Sequence, residues 1–232
     1  MKQIQFIFFL STLFLISCQN NAKQTDNSKK FPIVLDTVGI GEFLNSRGEE
    51  DPSLLAVANY KVYFIGKIKD SVYLSSCIFC PPPPPPLRPL TDKTYISEQE
   101  SPFDKYYIGR HKKTTYKNRL EGKIDIQFDT AVKISSLFPV MVTNRETDTI
   151  FIGYGSHVPL IMEAMDSLGT WQPIQENFKY ICGHGLGLII LPPNESVLTL
   201  APTFKGNYKK KLRLTLGENH SKPFIGFIDY RL

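Results

Sequence analysis

The sequence predicts an all-β fold, and three observations lead there. The chain is rich in residues that suit a pleated, half-buried surface: 16 Phe and 11 Tyr among its 232 residues, with Ile, Val and Thr plentiful. Its 17 prolines weigh against long helices. Short apolar runs also recur between turn-forming clusters at spacings of about 8–12 residues, the rhythm of a sandwich or barrel. With 42% hydrophobic and 21% charged residues the composition is globular, and the length suits one large or two small domains. The formal charge of +5 is too small to argue for nucleic acid, and no helix-turn-helix, zinc-finger or RNA-binding signature accompanies it.

The chain opens "MKQIQFIFFLSTLFLISCQNN". Ile4 to Ile16 is a 13-residue, mostly apolar run behind Lys2. It is shorter than the ~20 residues that span a bilayer as a helix and fits the apolar core of a secretory signal. Ser17 then precedes Cys18, and "LISC" resembles the lipobox of bacterial lipoproteins. That resemblance implies that residues 1–17 are a signal peptide and that Cys18 is lipidated and begins the mature chain. It also implies a bacterial cell-envelope protein anchored in a membrane by palmitate-type acyl chains. Gln19 stands where an Asp would resemble an inner-membrane retention signal, so the outer membrane is the expected site. The competing reading is an ordinary cleaved signal with an incidental cysteine. Residues 18–31 contain "QNNAKQTDNSKK", which cannot bury a core and reads as a flexible tether.

The folded part follows. "FPIVLDTVGIGEFLN" opens it, with a short helical turn expected near Glu42 to Asn45. "KVYFIGKIKDSVYLSS" holds two β-rich runs about Lys69-Asp70 and predicts a hairpin, so residues 32–76 form an N-terminal β-hairpin region. Residues 77–122 read as a proline-rich and basic connector. In "KIDIQFD", Ile124, Ile126 and Phe128 alternate with Lys123, Asp125 and Gln127, the period of a strand with one buried face. Further strands are expected at 138–143, 150–153, 160–165, 170–174, 178–182, 186–191 and 197–200, with turns at "NRETD", "DSLG" and "PPNE". "YKKKLRLTL" sets Tyr208, Leu212, Leu214 and Leu216 against Lys209, Lys211 and Arg213, and "PFIGFIDYRL" closes the chain.

From residue 123 to 232 the order of features resembles an immunoglobulin-like β-sandwich of bacterial envelope proteins. Trp171 in "GTWQPI" matches the core tryptophan, and Tyr208 in "FKGNYKKKLRL" matches the corner tyrosine. The resemblance implies that both aromatics lie buried in one core. No cysteine pair occupies the place of the antibody disulfide, and a sandwich hosts many unrelated functions.

Chemistry is sparse. There is no G-x-S-x-G elbow, H-E-x-x-H, Walker loop or dinucleotide fingerprint, and no cofactor or catalytic residue is assigned. Ser156 and His157 in "GYGSH" are neighbours, and neighbours on a strand face opposite ways. "CIFCPPPPPPLRPL" carries Cys77 and Cys80 into six prolines, which forbid the helix that a thioredoxin-type C-x-x-C opens. The prolines predict a polyproline II rod of roughly 19 Å. An extended strand through Cys77 would separate the pair by about 10 Å, beyond disulfide reach, so the pair could close only across a turn. One of Cys77 or Cys80 bridged to Cys182 is the preferred pairing. A metal clip of Cys77, Cys80, Cys182 and His184 has unfamiliar spacing, and no metal is assigned.

Charge patterning offers more. Lys105 to Lys123 holds seven basic residues, among them Arg110, Lys112, Lys113 and Lys117, against one acid. Lys205 to Arg213 adds five basics, including Lys209, Lys211 and Arg213. Together they form a candidate patch for an anionic glycan or lipid, or for an acidic envelope protein. The plainer reading is a solvated face that discourages edge-to-edge association. The expectation is a lipid-anchored, non-catalytic interaction module. The alternative is an envelope enzyme, a hydrolase or thiol-redox protein.

Overall fold

The computed structural model describes residues 31–45, 56–79, 103–108, 122–178 and 187–229, all within one unit, Phe31–Leu232. The chain is mostly β. β1 (Ile33–Leu35) leads to the one short helix, α1 (Ile40–Asn45), which starts where the Asp36 carboxylate accepts the Ile40 and Gly41 N–H groups at 2.9 and 2.8 Å. β2 (Ala56–Val57), β3 (Phe64–Gly66) and β4 (Ser71–Tyr73) follow, and a 3-10 turn at Asp104–Tyr106 runs into β5 (Tyr107–Ile108). Next come β6 (Ile124–Phe128), β7 (Leu137–Asn144), β8 (Ile150–Tyr154), β9 (Ile161–Met165) and β10 (Trp171–Pro173). The last are β11 (Gln175–Glu176), β12 (Leu188–Leu191), β13 (Ser196–Pro202), β14 (Tyr208–Leu216), β15 (Asn219–His220) and β16 (Phe224–Ile228).

Three antiparallel sheets result. One runs β3-β13-β7-β6, a second β5-β12-β8, and a third β10-β9-β14. In the third, Leu212 and Thr215 pair with β9 on one side and with β16 and β15 on the other, so β15 and β16 share the far edge of β14. β1–β4 and β2–β11 are short parallel pairs.

Burial explains the stacking. Val197 and Ala201 of β13 face a main core with Val140, Val142, Leu212 and Leu214. Leu198 and Leu200 face the other way, into a second core with Ile40, Tyr63, Val72 and Ile134. A strand buried on both faces reads as a near-continuous apolar run, as "SVLTLAP" does. The first sheet is therefore a middle layer, with α1 and the β1–β4 pair on its outer side.

β8 and β12 continue β7 and β13 past a corner, and Asn144 holds that corner. It is fully buried; its amide nitrogen donates to the Asp148 and Leu191 carbonyls at 2.8 Å each, and its amide oxygen accepts the Glu146 N–H at 2.8 Å. At another edge Asn219 accepts from the Ile124 N–H and donates to the Gly122 carbonyl, tying β15 to the start of β6.

Two expectations are corrected. β3 and β4 do not form a hairpin: β3 pairs with β13 and β4 with β1. Their apolar residues choose different layers, since Ile65 joins the main core and Val72 the second. Trp171 and Tyr208 also do not share a buried core. Tyr208 is 48% exposed, because the first half of β14 pairs with β16 alone. Trp171 is half-buried on β10, the edge strand beyond β9.

Candidate functional site

Cys18, Cys80, Cys182, Arg110, Lys112, Lys113 and Lys117 lie outside the described residues, as does His184 of the metal clip. Cys77 is disulfide-bonded, and its partner lies outside them too. The strand assumed to run through Cys77 stops at Tyr73, and the backbone bends at Ser76, so the extended-chain separation of the pair does not apply.

The cationic row on β14 divides. Arg213 is half-buried and neutralised: its Nε lies 2.7 Å from the Glu163 carboxylate, and its guanidinium sits 4.3 Å from the Trp171 ring centroid. Thr215 Oγ1 donates to the same Glu163 oxygen at 2.9 Å. Lys209 and Lys211 are exposed. Directly across on β16, Phe227 faces Lys209 and Ile225 faces Lys211. Paired residues share a face of a sheet, so two ammonium groups flank two apolar side chains that are 52% and 54% exposed. The sequence marked the lysines but not these neighbours, which only strand register brings alongside.

A second site was not foreseen. A cleft of about 170 Å³ opens between α1 and the turn before Val158. Ile40, Phe43 and Leu44 form its apolar wall; Asn59, Lys61 and His157 form its polar end, with Tyr63 and Ser76 completing the lining. Lys61 meets His157 in an antiparallel bridge, and the Val62 N–H donates to the Ser156 carbonyl at 2.8 Å. The Lys61 ammonium donates to the Ser76 carbonyl at 2.9 Å. Among the described residues no carboxylate pairs with it. Its one sequence signal is a charge set in the buried run Tyr60, Val62, Tyr63.

Ser156 and His157 are also corrected. Ser156 Oγ lies 3.2 Å from His157 Nδ1, because residues 154–157 form a turn, with Gly155 at φ 56°, rather than an extended strand. The imidazole stacks on Phe178 at 4.2 Å. Burial, then the nearby Lys61 charge, hold its pKa below the ordinary histidine value, so it is neutral at pH 7. A serine nucleophile needs a base that a third group orients. Among the described residues no carboxylate contacts this ring.

No family model, curated protein or solved structure matches the chain.

Proposed function

We propose that this chain is a lipid-anchored protein of the bacterial cell envelope, held through Cys18 in the outer membrane and acting as a non-catalytic binding module. The observation that carries the reading is the exposed Lys209–Phe227 and Lys211–Ile225 pairing on the outer face of β14 and β16. Cations beside exposed apolar groups suit an anionic lipid or glycolipid surface, where the ammonium groups meet phosphate and the apolar side chains enter the boundary layer. Of the immunoglobulin-like reading, the antiparallel pairing of β6 to β10 and of β12 to β16 is the support, and the aromatic pair is not.

Flotation of the non-acylated mature chain with vesicles tests this. Binding should favour anionic over neutral vesicles and weaken with salt. The double variant Lys209→Glu, Lys211→Glu should cut anionic binding by about 30-fold or more, at ~1 kcal/mol per lysine near such a surface. Equal flotation with neutral vesicles would overturn the assignment. A hydrolase reading draws on the 3.2 Å Ser156–His157 contact. It requires an esterase or amidase activity that Ser156→Ala abolishes with the fold intact.

A further inference from the structure

We infer that the cleft between α1 and His157 is a binding site for a small carboxylate that carries a compact apolar group. Lys61 is half-buried and lines the cleft, and its ammonium makes an exposed hydrogen bond to the Ser76 carbonyl. One of its three protons goes to the Ser76 carbonyl, and no carboxylate among the described residues neutralises it. A lysine beside apolar surface with no carboxylate partner can hold an anion by a charge-assisted hydrogen bond. Among the described residues lining the cleft there is no carboxylate. His157 lies beside Lys61 and is neutral, while Tyr63 faces the ammonium from 6.0 Å with its ring. Asn59, whose amide can donate, also lines the cleft.

The rest of the cleft sets the size and character of the ligand. Ile40, Phe43 and Leu44 of α1 supply apolar side chains to the same lining. The volume of about 170 Å³ is close to that of an apolar cavity known to hold benzene, ~150 Å³. A ring or branched chain of five or six carbons fits there with its carboxylate on Lys61. A phosphate would leave the apolar wall bare, and a long acyl chain exceeds the space.

Benzoate and benzamide provide the test, because they share shape and differ in charge. Titration of the isotope-labelled mature chain should give saturable shifts at the His157 ring and the Asn59 amide with benzoate. Benzamide should bind about tenfold more weakly or worse, the worth of one charge-assisted hydrogen bond. Lys61→Met should abolish benzoate binding, Lys61→Arg should largely restore it, and Lys209→Met should leave it unchanged. Equal binding of the two probes would overturn the assignment, as would no saturable shift with benzoate. So would benzoate binding that survives Lys61→Met. Should that variant not fold, the benzoate–benzamide comparison in the unaltered chain decides alone.

Discussion

At the scale of single residues, the buried polar groups do most to specify this fold. Asn144 satisfies two carbonyls and one N–H at the corner where two antiparallel pairs meet. Asn144→Ala should cost about 2–4 kcal/mol, because buried partners are left without hydrogen bonds; urea unfolding measures it. Trp171→Ala should cost only about 1 kcal/mol, against ~3–5 for a fully buried aromatic, since Trp171 lies half-exposed against Arg213. His157 gives a pH prediction. Its folded pKa lies below its unfolded value near 6.5, so the unfolded chain binds the proton more readily. Stability should be full above pH ~6.5 and fall as pH drops toward the folded pKa, then level off. His157→Gln should flatten that limb. Asp166 acts at lower pH: hydrogen bonds from the Thr170 backbone, the Gln172 side chain and the Leu168 backbone hold its carboxyl below the usual range. Its support of the β9–β10 turn is present above pH ~3.9 and lost as pH falls through the folded pKa.

Among elements, β14 and its neighbours show how far pattern reading reaches. The alternation of "KLRLTL" places Leu212, Leu214 and Leu216 in the core as expected. The same alternation put Tyr208 with them, and that inference failed because β9 covers only Leu212 to Thr215. Period two tells which residues share a face; it does not tell where the covering layer ends. The hairpin from β14 to β15 turns at Gly217-Glu218 with Gly217 at φ 59°, glycine first, as a II′ turn requires. Gly217→Ala should cost about 1 kcal/mol from backbone strain alone. On β16, Phe227→Ser should change stability by less than a core substitution while reducing vesicle flotation, which separates the role of that exposed side chain from packing.

For the whole molecule, the sequence announced a mostly β chain and most strands after residue 123, because each carries its own turn signals and alternation. It could not announce the second core. Ile40, Val72, Ile134 and Leu198 are far apart in the chain and meet only once β13 is covered on both faces. The cleft was invisible for the same reason: Ile40, Lys61 and His157 are unremarkable singly. Within "GYGSH" the glycines were the usable sign, since a left-handed Gly155 converts an apparent strand into the turn that joins serine to histidine.

The strand partners also fix an order of events in time. β2 waits for β11, β3 for β13 and β5 for β12, so the early strands find their sheet neighbours only in the last third of the chain. Among the described residues before β6, the one sheet pairing that needs no later strand is the three-residue parallel pair β1–β4, too little to stand alone in water. A chain stopped at residue 190 should therefore show no cooperative transition and be cut readily by protease, and folding should be slow, as pairings of such long sequence separation impose. In a growing chain of this design the first and the last thirds are therefore bound to one another, and β2, β3 and β5 stay without their sheet partners until β11, β13 and β12 have been made.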